Sequence, residues 1–152
     1  MKQSMVLTVA GVVLTNLVAC GAAGSLRRAQ TDVPYTVAHH YYYKLHTEAP
    51  ANPMVTTRAE FDKRYGEAAV MGKNGQPTAI DFERQLAIGI VLPLTNDHVE
   101  VRPTRLTADG DTLVLYYQVK TLERNMPSTM RPMVLVVVDR DHKRGHCRLQ
   151  RE

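Results

Sequence analysis

Leu86-Ala87-Ile88-Gly89-Ile90-Val91-Leu92 and Met133-Val134-Leu135-Val136-Val137-Val138 decide the fold of this chain. Each is an unbroken apolar run of strand length, and the first is closed by Pro93. A strand with one wet face alternates apolar and polar residues, so a short run with no polar member reads as a strand buried on both faces. Between the two runs, Val99 to Leu106 (VEVRPTRL) alternates, and Pro103 pushes that strand towards an edge or a bulge. Ala108-Asp109-Gly110-Asp111 is a hairpin turn signal. It leads into Thr112 to Leu122, where Leu113, Leu115, Tyr117 and Val119 share one face. After the polar segment Asp139 to Gly145, His146 to Leu149 is placed to pair as a final strand.

Upstream of the first run, Thr57-Arg58-Ala59-Glu60 has the spacing of a capping box, and Phe61 and Tyr65 are four apart. With Gly66 as a stop, this predicts a short helix from Arg58 to Tyr65. Pro50, Asn52 and Pro53 break the chain before it. Tyr35 to Leu45 (YTVAHHYYYKL) is rich in β-formers and reads as one strand. Ala68 to Met71 is apolar and gives way to a turn at Gly72-Lys73-Asn74-Gly75. Residues 33–152 therefore read as a single globular, strand-dominated α+β domain. The expectation is a small antiparallel sheet or a curled β-barrel of five to six strands, with one short helix.

The N-terminus has a different character. Lys2 is followed by an apolar run, Met5 to Val18, interrupted only by Thr8, Thr15 and Asn16. That suits the h-region of a signal peptide and falls short of the roughly 20 apolar residues of a membrane-spanning helix. The run ends in Leu17-Val18-Ala19-Cys20-Gly21, which resembles the lipobox of bacterial lipoproteins. The resemblance implies that residues 1–19 are removed and that Cys20 is acylated with palmitate-type chains; cleavage near Ala19 or Ala23 as an ordinary secretory signal is the competing reading. Each buried CH₂ contributes about 0.8 kcal/mol to membrane attachment, so several chains hold firmly. Residues 20–32 read as a lipidated flexible tether, since they lack an apolar period. No acidic residue follows Cys20 directly, which points to the outer membrane and leaves its face open.

Composition excludes several functions. Without residues 1–19 about 130 residues remain, enough for one domain with its own core. Eighteen basic side chains then stand against 15 acidic ones, interleaved along the chain, so nucleic acid is not an expected partner. Cys20 is assigned to the lipid, which leaves Cys147 without a partner in the chain. Its alternation with charged neighbours points it inwards as a small apolar residue; a free reactive thiol is the alternative.

No catalytic pattern emerges. His39 and His40 are adjacent on the expected strand and point to opposite faces. His142, His146 and Cys147 are metal-capable, but Gly145 and the strand pattern argue against the helix that would gather them. Asp109/Asp111 and Asp139/Asp141 sit in turns, where Asp bonds its own backbone. Ser25 and Ser128 are in no nucleophile-elbow pattern, and Gly72 to Gly75 lacks the Lys-Ser/Thr of a phosphate loop. The expectation is a protein that is not an enzyme, with no metal and no cofactor. Tyr41, Tyr42 and Tyr43 read as a half-buried strand or as an exposed aromatic ridge of the kind found in interfaces. The loop Glu123 to Arg131 (ERNMPSTMR) joins two strands and carries Met126-Pro127 near its centre. It is an ordinary connection or a presented segment whose proline lowers the cost of docking.

Val55-Thr56-Thr57-Arg58-Ala59-Glu60-Phe61 and Ile80-Asp81-Phe82-Glu83-Arg84-Gln85-Leu86-Ala87-Ile88 resemble the lipoprotein family that assists a spirochaete surface protease complex. That family carries Gly-Gly-Tyr after the strand, where this chain has Leu92-Pro93-Leu94-Thr95. The lipobox, mature length and strand content are also similar to potempins, outer-membrane lipoproteins of oral Bacteroidota that inhibit secreted peptidases. Both resemblances imply a peptidase as partner. The leading expectation is a membrane-anchored peptidase inhibitor, with Asn125, Met126, Pro127, Ser128 and Thr129 as the contact, supported by Asp97 and His98. The alternative is an assembly lipoprotein that binds an envelope protein complex through a sheet edge near Arg102-Pro103-Thr104. A third reading is a small-ligand carrier using a barrel interior.

Overall fold

The computed structural model describes residues 30–44 and 48–152. The expected signal peptide (residues 1–19), Cys20, Ser25 and the expected tether as far as residue 29 lie outside the described residues, as does Leu45. The strands are β1 Thr31–Asp32, β2 Thr36–Ala38, β3 Tyr41–Tyr43, β4 Met54–Val55, β5 Tyr65–Glu67, β6 Gln85–Val91, β7 His98–Asp109, β8 Thr112–Glu123, β9 Met133–Asp139 and β10 His146–Arg151. Helix α1 spans Arg58–Arg64, and a single 3-10 turn spans Arg140–His142.

The fold is a strand-dominated α+β arrangement of two four-stranded sheets and a two-stranded ribbon. Sheet A has the order β1-β7-β8-β10, sheet B the order β2-β9-β6-β4, and β3 pairs with β5. Among the described residues no sheet closes into a barrel, so the curled-barrel form of the expectation gives way to open sheets packed face to face. All the pairings are antiparallel except β8–β10, which is parallel.

The two apolar runs are the centre of sheet B, and both of their faces are covered. Leu86, Ile88, Ile90, Val136 and Val138 point at sheet A and meet Leu106, Leu113 and Leu115 there. Ala87, Leu135 and Val137 point the other way, into a second core with Tyr43, Phe61, Tyr65 and Ile80. The chain is thus three layers deep: sheet A, sheet B, then α1 with the β3–β5 ribbon. Among the described residues no sheet encloses an interior, and the first of these cores fills the space between the central parts of the two sheets.

The second core is aromatic, and its strands make room for it. Phe61 lies 4.9 Å from Tyr65 and 5.3 Å from Phe82, and Tyr43 stands at 5.4 Å from Tyr65 in an edge-on contact. Opposite them, strand β6 of sheet B presents Ala87 and Gly89 rather than larger residues. A Cβ at Gly89 would fall 1.9 Å from the Tyr65 hydroxyl, so the tyrosine occupies the volume this glycine leaves free.

Several local signals shape the chain as the sequence predicts. Thr57 caps α1 by accepting the Glu60 N–H at 3.2 Å. The Glu60 carboxylate does not complete the capping box; it pairs with Arg64 at 2.6 Å. Asp109 and Thr112 close the β7–β8 hairpin, with Gly110 at φ 58°. The register slips between Pro103 and Arg105, which is the expected bulge. Tyr43 is buried while Tyr42 is half exposed, so the three tyrosines alternate as a strand requires.

Other readings are corrected. Tyr35–Leu45 is not one strand: β2 belongs to sheet B and β3 to the ribbon, and the chain turns between them at His40, φ 63°. His39 and His40 therefore sit at that corner, ring centroids 6.4 Å apart, rather than on opposite faces of a strand. Gly66 does not stop the helix. Tyr65 is already extended, and Gly66 lies in β5 under the Tyr42 ring, which stands 2.4 Å from where a Cβ would be.

Candidate functional site

The residues singled out in the sequence converge on one end of the sandwich. β7 runs from this end to the hairpin at Gly110, β8 returns to it, and β9 starts here. The loop between β8 and β9 crosses the segment before β7 and is bound to it along its length. Thr95 and Met130 exchange main-chain hydrogen bonds of 2.9 and 2.8 Å. The Met126 N–H donates to the Asn96 carbonyl at 2.7 Å. The Asn125 N–H donates to the Asp97 carboxylate at 3.0 Å, with Asn125 at φ 56°. Asp97 is itself set by its N–H donating to the Thr95 hydroxyl at 3.1 Å. At the loop's far stem, the Arg131 guanidinium lies 5.5 Å from the centre of the Tyr43 ring.

Asn125, Met126 and Asp97 are therefore brought together, while Pro127, Ser128 and Thr129 form the exposed crest. His98 opens β7 opposite Glu123 and faces solvent. Leu94 and Met130 lie at the Thr95–Met130 bridge and Leu122 near the end of β8, and they are 50%, 38% and 49% exposed. Leu122 is thrown out by a register slip between His98 and Val99. Met130 belongs to the loop singled out in the sequence, whereas Leu94 and Leu122 were not legible as site residues, since apolar side chains beside strands read as core positions.

Beside the loop, an open groove of about 560 Å³ separates sheet A from sheet B. Its walls contain consecutive residues, Glu100 to Pro103 on one side and Met133 to Leu135 on the other. Successive side chains of a strand face opposite ways, so a wall of consecutive residues is a strand edge. The edges are open because β1 and Val33 cover β7 only from Leu106 to Ala108, and β2 covers β9 only from Leu135 to Val137.

The remaining chemical candidates take structural places. Among the described residues no three His, Cys, Asp or Glu side chains gather as metal ligands, and His142, His146 and Cys147 are not brought together as such a group. Cys147 packs against the inter-sheet core, and burial pushes its thiol up to about 12, so it is held protonated at neutral pH. The Asp111 carboxylate accepts the Gly145 N–H at 2.8 Å and its carbonyl the His146 N–H at 3.1 Å, fixing the start of β10. Asp109 closes the hairpin; Asp139 and Asp141 are exposed at the 3-10 turn.

Compared with known proteins, the chain matches no family model, and no curated protein or solved structure is significantly similar to it.

Proposed function

We propose that this chain is a non-catalytic, membrane-anchored lipoprotein that inhibits a secreted or envelope peptidase through the Asn125–Thr129 loop. The observation that carries the reading is the attachment of that loop to Thr95–Asp97 at Asn125 and Met126, with Met130 bonded to Thr95 just beyond it. A segment fixed before it binds loses little freedom on binding, and an inhibitor needs such a segment rather than reactive groups. Leu94, Leu122 and Met130, in the segments that lead into and out of this loop and its bridge, add exposed apolar area of the kind that anchors an interface.

The placement of the chain's start agrees with this. Thr31 joins β7 at Ala108, ten residues along the strand from His98, or roughly 30 Å at the usual strand rise. A lipid on Cys20 would attach to the domain at the pole opposite the loop. The lipobox at Leu17–Cys20, the absence of an acidic residue after Cys20, and the resemblances to two lipoprotein families that act on peptidases support the outer-membrane anchor and the partner class.

The test is titration of the protein against serine, cysteine and metallopeptidases, including any encoded beside it. Tight, saturable inhibition of one of them is expected. The double variant Met126→Gly, Pro127→Gly is expected to weaken that inhibition at least tenfold with its melting temperature kept. A double variant that inhibits as well as the parent would remove the loop from the reading. Silence from the whole panel, cognate peptidase included, would favour the second reading. That reading is an assembly lipoprotein binding an envelope complex through the β7 edge, and the open edge at Arg102-Pro103-Thr104 supports it. Pull-down from envelope extracts would then identify the complex.

A further inference from the structure

The first half of β7 is a strand with only one neighbour. Val99 to Pro103 pair with Thr121 to Tyr117 of β8, and no described residue bonds their main chain on the other side. Such an edge is a template for another strand, and the groove beside it is the space that strand would enter.

The side chains of this edge specify a particular occupant. Val99, Val101 and Pro103 are half-buried, and Val101 packs on the inter-sheet core. Glu100 and Arg102 alternate with them and are exposed. We propose that the occupant is β7 of a second copy of this chain, paired antiparallel about a twofold axis at Val101. Because side chains alternate, only every second register keeps the apolar set on the inner face. Centring the axis on residue 100 sets Glu100 against Glu100, and centring it on residue 102 sets Arg102 against Arg102. Centring it on Val101 sets Glu100 of each copy directly opposite Arg102 of the other, twice over. Opposite charges facing across a strand pair stabilise it and like charges oppose it, so the sequence Glu-Val-Arg is self-complementary in this register alone.

The geometry also limits the assembly. Pro103 lacks an N–H, and the bulge after it turns the strand, so pairing stops there. A twofold contact uses the same patch on both copies and closes at two. The two copies of sheet A then join into one sheet six strands across, β10-β8-β7 of one copy continuing into β7-β8-β10 of the other, with each β1 beside the second half of its own β7, and Val99 and Val101 of each copy face the groove of the other. The pairing does not rest on the peptidase reading, because the inhibitory loop stays outside it.

The experiment uses the full-length chain in two differently tagged forms, co-expressed and solubilised in detergent, with capture on one tag and quantitation of the other. Wild type is expected to capture wild type. Glu100→Arg with itself and Arg102→Glu with itself are each expected to capture at least tenfold less, since each sets like charges across the axis. Glu100→Arg co-expressed with Arg102→Glu is expected to recover wild-type capture, which also shows that both variants fold. No capture of wild type by wild type overturns the proposal and leaves the edge to a foreign strand. Equal capture in every combination overturns it too, as does failure of the mixed pair to recover. Peptidase inhibition by the single variants is expected to be unchanged, so loss of one activity does not mimic loss of the other.

Discussion

Replacing Gly89 by alanine tests the most specific packing contact in the molecule. The added methyl would lie 1.9 Å from the Tyr65 hydroxyl, 2.9 Å from the ring carbon that bears it and 3.4 Å from a Leu135 methyl. Ordinary contact needs roughly 3.4 Å, so the hydroxyl must retreat by about 1.5 Å. Tyr65 is 2% exposed and held between Phe61 and Tyr43, and Gly89 is in a central strand, so neither side yields easily. Overpacking of this kind costs about 1–3 kcal/mol, and with a displacement this large about 2–3 kcal/mol is expected after the backbone advantage of alanine is included. Tyr65→Phe should behave in the opposite sense. The Tyr65 hydroxyl is buried without a hydrogen-bond partner, and burial raises its pKa strongly. Deleting it removes an unmet desolvation cost, so the single variant is expected to match or exceed the parent by about 1 kcal/mol.

In the double variant the closest obstacle is gone and the ring carbon needs to move only about 0.5 Å. Gly89→Ala should then cost under about 1 kcal/mol, a coupling of roughly 1.5–2 kcal/mol between the sites. Equilibrium urea denaturation of the four proteins measures this directly. Additive effects within about 0.5 kcal/mol, or a Gly89→Ala variant as stable as the parent, would refute the account of this niche.

Three further outcomes are expected. The Arg140 guanidinium donates to the carbonyls of Thr56 and Phe82, so Arg140→Ala should lower stability by about 2–3 kcal/mol; Arg140→Lys should restore only part, as read by denaturant midpoints. Asp97→Ala removes the acceptor of the Asn125 N–H, and hydrogen exchange at that amide should speed up roughly five- to tenfold while the sheets keep their protection. Burial raises the Cys147 thiol from 9.0 to about 12, which lowers the thiolate fraction at pH 8 by about 10³ and should slow its alkylation accordingly, as followed by peptide mass spectrometry. The thiol stays protonated longer in the folded state, so stability should fall as pH rises above about 9, and less so in Cys147→Ala.

The fold was legible where a run of residues is forced by burial. Leu86–Leu92 and Met133–Val138 read as doubly buried because they are, each lying between an inter-sheet core and an aromatic one. The helix start was legible because Thr57 caps locally. Its end was not, because Tyr65 leaves the helix to pair with Tyr43, a partner 22 positions earlier whose pull no local signal carries. The division of Tyr35–Leu45 at His40 was hidden for the same reason: the tyrosines favour strand, and only the layering decides which sheet each half joins. The parallel β8–β10 pair cannot be read from turn signals, since β9 intervenes in the other sheet. At the site, the loop and Asp97-His98 were legible as strand junctions. Their mutual hydrogen bonds depend on the hairpin register, and the open β7 edge depends on how little of that strand β1 covers.

The two ends of the described chain lie on opposite margins of one sheet, with β1 against β7 and β10 against β8. That has a kinetic consequence. The β7–β8 hairpin closes through a two-residue connection, whereas β10 must find β8 across 33 intervening sequence positions at its nearest and β1 must find β7 across more than 70. Loop closure makes the distant pairings late, so the hairpin forms the nucleus on which both termini are laid down afterwards. Substitutions at Leu113 or Leu115 are expected to slow refolding, while those at Leu149 mainly speed unfolding. A chain emerging N-terminus first would complete sheet A only with its last six strand residues, and until then the outer side of β8 would stay open to misplaced strands.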